Sequence, residues 1–319
     1  MDSAPETDLA DTLSSLTADD YRWRGVRPFY EQPDAEGAVE AFFAPFRSAF
    51  SALHRREDIF IAGANNAADG GDIWTMSMGH FVGLFDGEWL GVAPTGRLMP
   101  VRYAEFDRVV DGKVAESALF LDVIGVMQRA GCDPLPAQTG AQHWHPGPRT
   151  RDGVLLEGQD PAEGMATLAL VNRMIDDLQH LNVTGNDQCP PEYLAKTWQD
   201  DMAWYGPAGI GSVKTIRRYQ KHHQYPFRTQ LTDKKFLGHV TRIAEGNYCG
   251  FFGWPNLTNR STGGFLGLPA SATESEMRIV DVYRREGDRL AENWVLIDLP
   301  HYLALQGLDV LKRQFELSP

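Results

Sequence analysis

The sequence predicts an α+β protein made of two tandem copies of one domain, each a cone-shaped barrel in which a curved, mainly antiparallel sheet is wrapped by helices. Three observations carry that reading. First, the stretch from Gly87 to Gly131 returns between Gly264 and Gly307. Gly91, Arg102, Glu116, Asp122 and Gly131 match Gly267, Arg278, Glu292, Asp298 and Gly307, each pair 176 residues apart. Self-similarity at a fixed offset is the signature of a repeat. Second, helix-period segments precede runs of strand-like residues in both halves. Third, 319 residues with 43% hydrophobic content suffice for two packed cores.

In chain order, residues 1–19 read as an arm or short helix, and Asp19 to Gly37 as a loop laid over a core. Ala38 to Asp58 is helical in pattern, with Val39, Phe43, Phe46 and Phe50 at three- and four-residue spacing. Pro45 should kink or split that helix, because it lacks the N–H that the ladder needs. Ile59–Gly63 and Asp72–Gly83 are strand-like. In the second of these Trp74, Met76, Met78 and His80 alternate onto one face, and Ile73, Thr75, Ser77 and Gly79 onto the other. Two further strands meet at Asp111-Gly112, a pair that tolerates the positive φ of a tight hairpin. The second strand ends at Asp122, and a short apolar segment stops at Gly131.

Pro, Gly, Gln and His then crowd a connection, giving a first repeat over 1–137, a linker over 138–158 and a second repeat over 159–319. Pro161 suits a helix start, with Leu168, Val171, Ile175 and Leu178 on one face. A shorter helix is expected over Pro191–Trp204 and a third over Ser212–Gln224. Lys235–Trp254 should give a strand, an acidic-Gly turn and another strand. Asp20–Trp23 echoes Asp201–Trp204 upstream of each repeat.

The net charge of −13 argues against nucleic acid and anionic membrane as partners. The acidic, polar N-terminal residues lack the basic start and apolar core of a secretion signal, so a cytoplasmic location is expected. Cys132, Cys189 and Cys249 are too dispersed for a metal motif. His143 and His145 lack an acidic or thiol partner at ligand spacing. Adjacent His222 and His223 on a helix point to different faces.

Both repeats resemble the SnoaL-like polyketide cyclases, within the nuclear transport factor 2-like superfamily. The resemblance rests on Gly79-His80, Gly91–Arg97, Asp111–Ser117, Asp122 and Met127–Gly131 in the first repeat. In the second it rests on Trp204–Gly211, Gly287–Trp294 and Asp298. It implies a cofactor-free acid/base reaction, an intramolecular aldol ring closure, in which an Asp moves the proton. That role falls on Asp122 and Asp298.

Residues two apart share a strand face. Asp122 shares one with Glu116 and Phe120, and Asp298 shares one with Glu292 and Trp294. A carboxylate deep in an apolar wall is costly to ionise, which raises its pKa and suits it to proton transfer. His80 is the candidate to polarise the substrate oxygen. Trp23, Trp74, Met76, Met78, Phe120, Trp204, Trp254 and Trp294 are the expected pocket walls. The competing reading is structural: a carboxylate at a strand end also caps helices or pairs with an Arg, here Arg102 or Arg278. The first repeat, with His80 and Pro94-Thr95-Gly96, is the expected active one. The function expected is a lyase, cyclase or isomerase acting on a small, mostly apolar or aromatic carbonyl compound, without metal or organic cofactor. A hydrolase on the same fold, or a binding or scaffold protein, is the alternative. The repeats are expected to pair as an internal pseudo-dimer, or the chain as a homodimer.

Overall fold

The computed structural model describes residues 8–67, 71–141, 145–184 and 188–317. The first repeat runs α1 (Leu9–Leu16), β1 (Thr17–Gly25), β2 (Tyr30–Gln32), α2 (Ala35–Ala38), α3 (Ala44–Ala49), β3 (Phe50–Ala64), β4 (Ile73–Phe85), β5 (Arg97–Val110), β6 (Lys113–Leu121) and α4 (Val123–Arg129). The second runs α5 (Pro161–Thr184), α6 (Pro191–Leu194), β7 (Trp198–Tyr205), β8 (Ser212–Lys214), α7 (Ile216–Tyr219), α8 (Tyr225–Thr229), β9 (Leu231–Phe236), β10 (Thr241–Glu245), β11 (Tyr248–Ser261), β12 (Ser275–Glu286), β13 (Arg289–Ile297), α9 (Leu299–Leu305) and α10 (Val310–Leu317).

The sheets have matching orders, β2-β1-β6-β5-β4-β3 and β10-β11-β12-β13-β7-β8, with β9 pairing β11. In each sheet one pair is parallel, β1 with β6 and β7 with β13, and the others are antiparallel. Both sheets are open at their edges, so the fold is a curved α+β cone and no closed barrel.

The repeat extends to local detail. In both halves a π-helical turn, Val39–Phe43 or Gln220–Gln224, joins two short α-helices. A proline follows immediately, Pro45 or Pro226. The proline cannot donate to the carbonyl four residues back, and the widened turn absorbs that gap without ending the helix. The hairpin turn is also as expected, with Asp111 at φ 50° and Gly112 at φ 77°.

Several segments differ from the sequence reading, and Ser212–Lys214 at the start of the expected third helix is strand β8. Asp19–Gly25 belongs to strand β1, not a loop, and Thr197–Trp204 leads into and forms most of β7, not a helix. Both lie beside the last strand of their sheet, a tertiary contact that local pattern does not report. The helical pattern of 38–58 ends at Ala49, and Phe50 starts β3. The aromatic spacing that reads as one helix face carries on into the strand because Phe46 and Phe50 still touch, at 4.7 Å between ring centroids.

One face of each sheet is covered by its own helices. The other faces pack against each other, with Phe252 meeting Trp74 (5.8 Å), Phe106 (5.0 Å) and Phe120 (5.9 Å) across the seam. Gly250 lets the sheets close at this point, since a Cβ there would sit 3.1 Å from Met76 Cε. The core cluster accordingly runs continuously from the first repeat into Ile243, Phe252, Val280 and Trp294 of the second.

Candidate functional site

Strand β5 presents Tyr103, Glu105 and Asp107 at alternate positions, on the face turned toward α1 and the π-containing helix. Ser77 lies opposite Glu105 on β4, and Ser117 opposite Asp107 on β6. Glu105, Asp107 and Ser117 border a cavity of about 470 Å³. Its lining combines Leu13, Leu16, Thr17, Tyr21, Phe43 and Val114 with Arg55, Glu57, Glu105, Asp107 and Ser117.

The acids of the cavity have different hydrogen-bond partners. Arg55 Nη1 donates to Glu105 Oε2 at 2.5 Å, and its guanidinium lies 5.0 Å from the Tyr103 ring centroid. Glu57 Oε1 accepts from Ser77 Oγ at 3.0 Å. Ser117 Oγ donates to Asp107 Oδ1 at 2.5 Å, while Asp107 Oδ2 has no hydrogen-bond partner among the described residues. Burial, then repulsion from Glu105, pushes the Asp107 carboxyl up to about 7, against the opposing pull of Ser117 and Arg55. Burial also raises the Tyr21 phenol, which therefore stays a proton donor. The arrangement is a carboxyl poised between its two forms, with one oxygen oriented by a hydroxyl and the other available.

The second repeat holds the equivalent space, a cavity of about 200 Å³ under α5 and the helix containing His223. By strand register Asp281 occupies the place of Glu105, Tyr283 that of Asp107 and Asn293 that of Ser117. Asp281 Oδ1 accepts from Tyr283 Oη at 3.1 Å and Asn293 Nδ2 at 3.2 Å, and burial raises its carboxyl to about 6. Rings dominate the wall. His223 stacks on Trp204 at 4.0 Å, and burial followed by the Arg228 charge lowers its imidazole to about 3.

The residues singled out in the sequence fall mostly on the opposite face. Asp122 and Asp298 are helix N-caps: Asp122 Oδ1 accepts from Gly125 N at 3.1 Å, and Asp298 Oδ1 from His301 N at 3.2 Å. Each also accepts a backbone N–H from the other repeat, Ala208 N at 3.1 Å for Asp122 and Arg27 N at 3.1 Å for Asp298. Neither lines the two cavities. Burial raises Asp298 to about 6 against the pull of Arg27 N–H and Arg278. The capping alternative is therefore what the geometry displays. It follows from the pleat: Glu116, Phe120 and Asp122 point to the seam, and Ser117 to the cavity.

His80 shares that seam face. Its Nδ1 lies 3.3 Å from Asp58 Oδ2, and burial lowers its pKa despite that carboxylate. Trp74, Met76, Met78 and Phe120 are fully buried between the sheets. Trp254 meets Phe120 at 5.4 Å, and Arg278 lies 4.2 Å from its ring centroid. Trp294 stacks on Tyr205 at 5.5 Å and donates from Nε1 to Pro146 O at 2.8 Å. Trp23 packs on Phe42 inside the first repeat, at 5.9 Å. Trp204 does line the second cavity. His145 is buried and bonds Gly206 O at 3.0 Å, whereas His143 and Trp144 lie outside the described residues. Among the described residues no group of three or more His, Cys, Asp and Glu is arranged to hold a metal.

The sequence reading thus missed Tyr21, Arg55, Glu57, Glu105, Asp107 and Ser117. A signal was present in the alternation of Tyr103, Glu105 and Asp107 with Ala104, Phe106 and Arg108. A solvated strand face carries the same pattern, and only the helices laid over it distinguish the two.

With the geometry in place, comparison with known proteins adds the following. Residues 2–130 match the model of the SnoaL-like polyketide cyclase family. Among solved structures, a SnoaL-like protein from Jannaschia sp. CCS1 is similar at 24% identity, over 37% of this chain and 76% of its own, with a TM-score of 0.29. An NTF2-like protein from Anabaena variabilis is similar at 15% identity, over 41% and 89%, with a TM-score of 0.32. An LEH-like epoxide hydrolase of M. tuberculosis is similar at 12% identity, over 48% and 95%, again with a TM-score of 0.32. No match was found among curated proteins. No helix among the described residues is long and apolar enough to cross a membrane.

Proposed function

We propose, from the premise that residues 2–130 are a SnoaL-like polyketide cyclase domain, that the first-repeat cavity is the acid/base site of a cyclase- or isomerase-type enzyme acting on a small carbonyl compound. The observation that carries this reading is the pairing of Glu105 and Asp107 on one strand face lining the cavity, with Ser117 Oγ donating to Asp107 Oδ1 and burial together with the Glu105 charge pushing the Asp107 carboxyl up to about 7. A group with that pKa near neutral pH both accepts and returns a proton efficiently. Asp107 takes a proton from the carbon next to the carbonyl. Tyr21, kept protonated by burial, donates a hydrogen bond to the developing oxyanion. Ser117 orients the carboxylate, and Arg55 pairs with Glu105 and offsets part of the charge that raises Asp107.

The apolar wall of Leu13, Leu16, Phe43 and Val114 suits a mostly apolar or aromatic substrate body. The second repeat is read as a binding compartment. Tyr283 replaces the proton-transferring acid there, and Asp281 is engaged by two donors. The division into repeats at 1–137 and 159–319 around a linker belongs to the same reading. The test is hydrogen–deuterium exchange at carbons α to the carbonyl in a panel of small aromatic ketones in D₂O, followed by mass spectrometry. The protein should accelerate exchange for a subset, and Asp107→Asn should reduce that acceleration by at least about a hundredfold. Equal exchange in Asp107→Asn and the parent would refute the assignment.

A further inference from the structure

The chain has a net charge of −13, yet five basic side chains gather between Lys214 and His222 with no carboxylate among them. Lys214 ends the edge strand β8. Arg218 and His222 follow one turn apart on the helix that starts with α7 and continues into its π-helical turn. These three side chains border a surface cavity of about 370 Å³, closed on the other side by Thr139 and Gly140. The cavity wall is fixed by a backbone bridge in which Ser212 N donates to Ala141 O at 3.0 Å and Ala141 N to Ser212 O at 2.8 Å.

No carboxylate among the described residues pairs with this cluster. Lys214, Arg217, Arg218 and Lys221 are exposed, and none has an ion-pair partner among the described residues. The charges around His222 are those of Lys221 and Arg218, which together with burial lower its imidazole. Arg217 and Lys221 are like charges four apart on the helix, an arrangement that repels. A further feature lies on the same wall. Ser212 is 4% exposed, and its hydroxyl has no hydrogen-bond partner among the described residues.

The cavity is bordered by a guanidinium, an ammonium and an imidazole, contributed by β8 and by the helix. Donors spread over several directions match the three terminal oxygens of a tetrahedral phosphate better than the two of a carboxylate. We propose that this groove binds the phosphate of a small phosphorylated molecule, at a site separate from the two cone cavities and independent of their chemistry.

The experiment follows the His222 imidazole by NMR while inorganic phosphate is titrated at constant ionic strength, so that general screening does not change. Phenyl phosphate and acetate are titrated in parallel. The expected result is saturable binding with the His222 midpoint raised, because a bound dianion favours the imidazolium. Phenyl phosphate should bind at least as tightly as phosphate, and acetate at least about tenfold more weakly. Lys214→Gln and Arg218→Gln, both at exposed positions, should each weaken phosphate binding, and Arg149→Gln should not. The proposal fails if phosphate produces no saturable shift, if acetate binds equally well, if phenyl phosphate is excluded while phosphate binds, or if both variants bind like the parent.

Discussion

Asp122 and Asp298 perform the same task in opposite directions across the seam between the repeats. Asp122 caps α4 and accepts the N–H of Ala208, in the loop after β7. Asp298 caps α9 and accepts the N–H of Arg27, in the loop after β1. Their own N–H groups donate to Arg102 O and Arg278 O, each at 3.0 Å. The pairs that match by a 176-residue offset in the sequence therefore superimpose in role. Each carboxylate ties its own helix start to the other repeat.

This gives the first prediction. Asp122→Ala removes a helix cap, typically worth about 1 kcal/mol. It also leaves buried N–H groups unpaired, at about 1–3 kcal/mol more. A loss of about 2–4 kcal/mol is expected in urea unfolding, with a similar loss for Asp298→Ala. Proton exchange catalysed in the first cavity should survive in Asp122→Ala. Abolished exchange in a folded Asp122→Ala would return the catalytic role to that residue.

Trp294 supplies a second prediction. It is fully buried, stacks on Tyr205 and hydrogen-bonds Pro146 O. Replacement by Ala should cost about 3–5 kcal/mol in stability. A change within about 0.5 kcal/mol would mean that the ring does not sit in the seam.

The third concerns pH. Asp107 is raised to about 7 in the folded protein, above the ordinary carboxylate value of 3.8. The folded state thus holds the proton more tightly than the unfolded chain. The stability this contributes is fully present below pH 3.8 and is lost as pH rises through 7. Asp107→Asn keeps the Ser117 hydrogen bond but cannot ionise. Its melting temperature relative to the parent should therefore increase between pH 5 and pH 8. A difference that is flat or decreasing over that range would contradict the raised value.

The repeat, the α+β class, the hairpin at Asp111-Gly112 and an irregularity of the helix at Pro45 were all legible in the sequence, because each depends on local chemistry or on internal matching. The choice of sheet face was not. Trp74, Met76, Met78 and Phe120 are the large apolar side chains, and size alone makes their face look like a ligand cavity. In the folded protein that face is sealed by Phe252 and its neighbours, while Glu105, Asp107 and Ser117 face the open space. Which face a second sheet covers is a long-range fact. Strand alternation fixes only which residues travel together. Asp122 shows the same limit, since a capping carboxylate and a catalytic one read alike until their donors are known.

The ionisation of Asp107 decides whether the first cavity can transfer protons near neutral pH. A carbon-detected NMR titration of the side-chain carboxyls, with Asp107 assigned by the loss of its signal in Asp107→Asn, measures this without any substrate. The predicted result is a midpoint near 7 for Asp107. It should fall in Glu105→Gln, where the neighbouring negative charge is removed. A midpoint near 4 in the parent would contradict the central claim, because the carboxyl would then be a fully ionised wall residue and not a proton-transferring one.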